Sequence, residues 1–140
     1  MAYENTTLAL PLPWHKGVWE RFNRAVDIGR MPHALLLHGS NGVGKKRLGT
    51  TLAQRMLCGA EGNQYACGSC KSCKLLLAGS HPDLTILEPE EDGKKILVDD
   101  VRRLCTKLNT TAQQGGWKIG LILVADAMNI NSSNALLKSL

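Results

Sequence analysis

Two groups of residues in this 140-residue sequence have types and spacings that do chemistry. The first is Gly39-Ser40-Asn41-Gly42-Val43-Gly44-Lys45-Lys46, which fits Gly-x4-Gly-Lys with an additional glycine at 42. Residues without a Cβ let backbone N–H groups curl around phosphate oxygens, and the following helix directs its positive end at them. Lys45 would reach the outer phosphates as a mobile point charge. The second group is Cys58, Cys67, Cys70 and Cys73, separated by eight, two and two residues. Two-residue gaps let successive thiolates converge on one ion, and Gly68 permits the tight turn between them. The eight-residue arm returns a fourth sulfur from the end of the preceding helix. Four thiolates close a tetrahedral site with no position for water, so a structural Zn²⁺ is expected and not a catalytic one. A redox pair and free structural cysteines are the competing explanations.

The loop departs from a hydrolytic one at its last position. A Ser or Thr hydroxyl after the lysine ligates Mg²⁺, and this chain has Lys46, which offers no metal ligand and competes for the same phosphates. Thr50 and Thr51 lie more than one helical turn on. The stretch Leu121-Ile122-Leu123-Val124-Ala125-Asp126-Ala127 is where a Mg²⁺-orienting acid belongs, and taken locally Asp126 would be that acid. The next residue, Ala127, is no carboxylate to polarise water. A nucleotide site of degenerate form, without Mg²⁺-assisted ATP hydrolysis, is therefore expected at Gly39, Gly42, Gly44, Lys45 and Lys46. Among the histidines, His15, His33 and His81 are expected to pack or bond, and only His38, beside the loop, could touch a ligand. No Ser/His/Asp or paired-carboxylate arrangement can be assembled.

The elements that must position these groups alternate along the chain. A helix carries Val18, Phe22 and Ala25-Val26, enters through Pro11-Leu12-Pro13 and Trp14, and ends at Gly29 and Pro32. Ala34-Leu35-Leu36-Leu37 is a continuous apolar run, as in a strand buried on both faces, and leads into the glycine loop. Leu48, Leu52, Ala53, Met56 and Leu57 share a helical face ending near Cys58-Gly59. Leu75 to Ala78 closes at Gly79, and Asp83 to Leu87 is a second strand. Glu88 to Lys95 is an exposed turn. Val98 to Leu108 is a helix capped by Asp99 or Asp100, with Val101, Leu104, Cys105 and Leu108 on its apolar face. Cys105 there is a buried apolar thiol. Gly115-Gly116 precedes a third buried strand, Lys118 to Val124, and Asn131 or Ser132 starts a last helix. Strand, glycine loop and helix, then further alternation, predict an α/β fold: a parallel sheet with helices on both faces and one small insertion at about residues 58–73.

Hydrophobic residues make up 44% and charged residues 21%, which excludes wholesale disorder. The longest apolar run, Ile119 to Ala125, has seven residues and contains a glycine, far from the ~18 of a spanning helix. Met1-Ala2-Tyr3-Glu4-Asn5 lacks a basic start and an apolar h-region, so a soluble, cytoplasmic chain with reduced thiols and no membrane partner is expected. The net charge of +5 is unevenly spread: residues 1–60 carry eight Lys/Arg against three acids, residues 86–100 two against six, and residues 101–140 five against one. This balance permits a phosphate or nucleic-acid partner, but no dense basic tract or aromatic interleaving marks a single-strand platform. The pattern from Asn134 to Leu140 stops in mid-helix, so the fold is expected to be incomplete at its C-terminal side.

A phosphate loop followed within twenty residues by four cysteines resembles the bacterial clamp-loader subunits of the AAA+ class, the gamma/tau and delta-prime subunits of DNA polymerase III. The resemblance covers nearly the whole chain. It runs through Pro32-His33-Ala34-Leu35-Leu36 before the loop, Leu57-Cys58 with Cys67-Gly68-Ser69-Cys70-Lys71-Ser72-Cys73, and Gly79-Ser80-His81-Pro82-Asp83. Val98-Asp99-Asp100-Val101-Arg102, Ala125-Asp126-Ala127-Met128-Asn129 and Asn134-Ala135-Leu136-Leu137-Lys138-Ser139-Leu140 continue it. Counted back from Asn134, the family's paired acids fall at Leu123 and Val124, not at Asp126. With neither acid there, and no hydroxyl at Lys46, the chain resembles the delta-prime branch, whose nucleotide site is degenerate and which serves as the rigid stator.

The resemblance implies residues 1–140 as the N-terminal part of an AAA+ P-loop domain. It also implies an arginine finger beyond residue 140 and a role in loading the sliding clamp on primed DNA. The partners it implies are the gamma/tau and delta subunits, with the clamp and DNA reached through the complex. Any DNA-directed DNA polymerase (nucleotidyltransferase) label would belong to the holoenzyme. The alternatives are an ATP-hydrolysing gamma/tau-like subunit, a zinc-containing P-loop nucleotide kinase and a zinc-dependent DNA-binding module.

Overall fold

Apolar residues at helical spacing place helix α1 at Lys16–Asp27, where Val18 and Phe22 pack against a buried cluster of Trp19, Leu48 and Leu52. The computed structural model describes residues 8–113 and 116–140. The chain divides into two compact units, residues 1–81 and 82–140.

In the first unit, α1 ends where Gly29 takes φ +68°, with the Arg30 N–H on the Ala25 carbonyl at 2.8 Å and the Gly29 N–H on Val26 at 3.1 Å. This left-handed cap satisfies carbonyls that a helix end otherwise leaves open. Helix α2 spans Lys45–Leu57 and starts directly from the glycine loop. Arg55 is buried yet tied to α1, its Nε donating to Asn23 Oδ1 at 3.1 Å with Asp27 Oδ1 at 3.5 Å. Helix α3, Lys71–Leu77, repeats the α1 ending, with Gly79 at φ +70° and Ser80 N–H on the Leu75 carbonyl at 3.0 Å.

The expected first strand differs. Ala34 to Leu37 makes no ladder among the described residues; Leu35 and Leu36 are 45% and 75% exposed, and only Leu37 packs on the Trp19 cluster. An apolar run becomes a buried strand only where neighbouring strands take its N–H and C=O groups, and among the described residues no ladder takes those of residues 34–37.

In the second unit, β1 (Leu84–Leu87) pairs in parallel with β2 (Ile119–Ile122), Leu84 opposite Ile119 and Leu87 opposite Ile122. A parallel pair needs a crossover, and helix α4, Val98–Leu108, lies within it. Ile96, Val101, Cys105 and Ala127 form the core, with Leu87, Ile122, Met128, Ala135 and Leu136 packed around it. Gly120 on β2 admits α4: a Cβ there would stand 2.9 Å from Leu104 Cδ1 and 3.1 Å from Leu108 Cδ1. The architecture is thus mixed α/β with a small parallel sheet. Among the described residues that sheet has two strands where three were expected, and the layering of helices on both of its faces is not seen.

Several boundaries move, each because a specific bond outranks local pattern. Leu97 is the cap residue of α4, and Asp100 accepts the Leu97 N–H at 3.1 Å from the helix's third position, where Asp99 or Asp100 was expected to start it. Helix α5 spans Ile130–Ser139, starting one residue before Asn131 and two before Ser132. Its cap is Asn129, whose Oδ1 accepts the Ser132 N–H while Ser132 Oγ accepts the Asn129 N–H, both at 2.8 Å. Strand β2 stops before Leu123-Val124 because Val124 turns left-handed, at φ +60°. Of the glycine pair at 115–116, Gly115 lies outside the described residues.

Candidate metal centre and glycine loop

The end of α2, the turn at Gly68 (φ +78°) and the start of α3 bring the four cysteines together. The sulfurs of Cys58, Cys67, Cys70 and Cys73 all lie within 4.8 Å of one another; Cys58 and Cys70 are 4.0 Å apart, and Cys67 and Cys73 3.9 Å. A tetrahedron with metal–sulfur bonds of about 2.3 Å has edges of about 3.8 Å, so the donor set fits a four-coordinate thiophilic ion.

Backbone amides face these sulfurs. Cys58 Sγ accepts from the Ala60 and Cys67 N–H groups at 3.4 and 3.3 Å, and Cys67 Sγ from Ser69 and Cys70 at 3.5 and 3.3 Å. Cys70 Sγ takes the Gly59 and Cys73 N–H groups, each at 3.4 Å. Such donors favour thiolates over thiols. The Ser69 and Cys70 amides bring the Cys67 thiol down to about 6. At Cys70 burial raises the pKa, but the Cys73 and Gly59 amides outweigh it and the net shift is downward. Burial pushes the Cys73 thiol well up, so it holds its proton until something displaces it. Tyr65, in the long arm between Cys58 and Cys67, stacks on Trp19 of α1 with centroids 5.7 Å apart and planes 9° from parallel. That contact anchors the arm to the helical core, and no spacing rule in the sequence marked it.

The glycine loop runs from Gly39 into α2. Gly42 and Gly44 adopt φ +82° and +87°, conformations that cost other residues about 1 kcal/mol or more. Gly44 is also crowded: a Cβ there would meet Leu12 Cδ1 at 2.6 Å and His15 Cε1 at 3.0 Å. Lys45 Nζ donates to the loop's own Gly39 carbonyl at 2.7 Å, and Lys46 is exposed at the second position of the helix. Thr51 does not reach back toward the loop; its hydroxyl donates to the Arg47 carbonyl at 2.8 Å.

The segment before α1 lies along this loop and helix. Gln54 Oε1 accepts the Ala9 N–H at 3.1 Å, and Arg47 Nε donates to the Leu10 carbonyl at 2.6 Å. Trp14 Nε1 and His15 Nε2 both meet the Val43 carbonyl at 2.8 Å. The histidine against the loop backbone is therefore His15, 5% exposed, whereas His38 is exposed beside it. Proline stiffness at 11 and 13 was the only trace of this arrangement in the sequence.

At the end of β2, Leu123 is buried, its N–H on the Leu87 carbonyl at 2.8 Å, and Val124 is exposed in its left-handed conformation. Asp126 is exposed in a 3-10 turn at Ala125–Ala127, and Ala127 belongs to the core. No carboxylate follows directly on the strand.

Comparison with known proteins places these features in one family. The family described as "DNA polymerase III, delta subunit" matches residues 14–140. DNA polymerase III subunit delta' of Pseudomonas aeruginosa is 46% identical over 128 residues, covering 91% of this chain and 38% of that protein. The delta' subunit of Escherichia coli K12 is 36% identical over the same length and shares. DNA polymerase III subunit tau of Escherichia coli K12 is 31% identical over 115 residues, 82% of this chain and 17% of that one. The chain thus spans 38% of the length of the delta' relatives. On a match covering nearly all of its residues, the chain belongs to the DNA polymerase III delta-prime family of clamp-loader subunits.

Proposed function

We propose that the chain acts within the DNA polymerase III clamp loader as a delta-prime-like, non-hydrolytic subunit. Its role is structural, and it takes part in loading the sliding clamp on primed DNA. In this reading residues 1–140 form the N-terminal part of an AAA+ P-loop domain, the zinc module is inserted at about 58–73, and the partners are gamma/tau and delta subunits in the cytoplasm. The observation that carries it is the end of β2: where a hydrolase of this family needs paired acids, Leu123 is buried and Val124 is an exposed left-handed valine. Lys46 in place of a hydroxyl supports the same conclusion. The loop at Gly39, Gly42, Gly44, Lys45 and Lys46 accepts phosphate oxygens through backbone N–H groups and lysine charge, without Mg²⁺-assisted bond cleavage. Cys58, Cys67, Cys70 and Cys73 hold a structural Zn²⁺; among the described residues no helix is long and apolar enough to cross a membrane.

The test is ATP turnover by the intact protein with Mg²⁺. We expect no turnover above background, with or without Lys45→Ala. Hydrolysis abolished by Lys45→Ala would overturn this assignment in favour of a gamma/tau-like ATPase.

A further inference from the structure

Trp14 is 61% exposed, yet its indole N–H is used on a backbone carbonyl 29 residues away. A carbonyl oxygen has two lone pairs, and at Val43 the second faces His15 Nε2. The state of that ring follows from its bonds. His15 Nδ1 accepts the Leu12 N–H at 3.1 Å, so it is unprotonated, and Nε2, opposite an atom that can only accept, carries the hydrogen. Both rings thus donate to one oxygen, edge to face with centroids 5.9 Å apart.

In a trans peptide the carbonyl and the following N–H point in opposite directions. Fixing the Val43 carbonyl toward Trp14 and His15 therefore fixes the Gly44 N–H away from them. Leu12 and His15 also crowd Gly44 itself, where an added Cβ would stand 2.6 Å from Leu12 Cδ1 and 3.0 Å from His15 Cε1, so glycine is required there. Gly44 most needs such a restraint, because glycine visits both signs of φ freely. Among the described residues, no hydrogen bond takes the Gly44 N–H.

We propose that Trp14 and His15 are positioning residues of the glycine loop: their two N–H donors on the Val43 carbonyl hold the Gly44 amide aimed at the face that receives an anion. This rests on the loop accepting phosphate, as proposed above, and adds the residues that preset it. Neither side chain touches the anion.

The experiment uses the intact protein labelled with ¹³C and ¹⁵N, and inorganic pyrophosphate without Mg²⁺ as the probe. Ring ¹⁵N shifts show the His15 tautomer with hydrogen on Nε2 and none on Nδ1. Trp14→Phe and His15→Leu each move the Val43 carbonyl-carbon resonance and weaken pyrophosphate binding roughly two- to tenfold, the range for one lost hydrogen bond. His15→Gln, which keeps a donor of similar reach, recovers most of the loss at unchanged melting temperature. An unmoved Val43 resonance in both variants overturns the proposal, as does equal loss in His15→Leu and His15→Gln. If the unmodified protein binds no pyrophosphate, the phosphate assignment of the loop fails, and the Val43 resonance alone decides the positioning claim.

Discussion

The cysteine cluster and the glycine loop are both built by aiming backbone N–H groups at one place, but they differ in who supplies the negative charge. Around the cysteines the chain provides it: six amide hydrogens converge on the sulfurs of Cys58, Cys67 and Cys70, and a bound cation would complete the neutralisation. In the loop the groups that would meet a phosphate are the Lys45 ammonium and the N-terminal amides of α2, and in the function proposed above the negative charge comes from a ligand. A site that carries its own charge is held by its ligands. A site that awaits charge needs restraint from elsewhere, and here the Leu8–His15 segment supplies it. That contrast explains why four residues define one site while the other enlists partners some thirty residues away in sequence.

The largest expected effect separates the two directly. Cys70→Ser replaces one thiolate of the proposed metal site while leaving an oxygen able to cap α3, and should lower metal affinity more than ~100-fold, beyond the range seen for outer-shell changes. Bound zinc measured by atomic absorption on the dialysed protein checks it, and undiminished one-to-one zinc contradicts a four-thiolate site. Phosphate binding should survive the same change only to the extent that the loop is held independently.

A smaller effect tests the restraint on the loop. Gly44→Ala forces a side chain into φ +87° and against Leu12, so we expect about 2–4 kcal/mol of lost stability in urea unfolding. Gly42→Ala, at φ +82° but in open space, should lose only about 1–2 kcal/mol. Equal losses would mean that the Leu12–His15 contact contributes nothing to the loop.

The smallest effect concerns protons. With Cys67 brought from 9.0 to about 6 by its amide donors, the metal-free folded chain gains stability from that thiolate in full above pH 9, and loses it as pH falls through about 6. Cys73 is shifted the other way by burial, so metal-free stability declines as pH rises beyond 9. Metal loading must therefore displace the Cys73 proton at neutral pH and, increasingly, the Cys67 proton near pH 6. Proton release on adding Zn²⁺ in weak buffer should grow as the starting pH is lowered from 8 to 6.

How legible these features were depends on how local their causes are. Cys67, Cys70 and Cys73 lie within one turn and the start of one helix, so spacing alone brings them together. Helix α4 was readable in full because Val101, Leu104, Cys105 and Leu108 repeat at one period. Its cap was not, because a leucine held the position and Asp100 worked from inside the helix. Ala34 to Leu37 shows the opposite limit: apolarity predicted burial, but a strand is a relation between segments, and Leu36 stands exposed without that relation. His15 was placed among the bystanders and His38 near the loop, since sequence proximity says nothing about what a preceding segment folds back upon.

The sequence by itself therefore determined what depends on near neighbours: glycines that permit positive φ, the cysteine quartet, amphipathic α1, α2 and α4, and the absence of acids at Leu123 and Val124. Tertiary structure alone decided what depends on distant meetings: the left-handed turn at Val124, the approach of α4 over Gly120, the Trp19–Tyr65 stack and the two rings on the Val43 carbonyl. Steric preference and charge are properties of a residue, and can be read in order along a chain. A hydrogen-bond partner or a packing surface is a property of a pair, and exists only once the chain has closed.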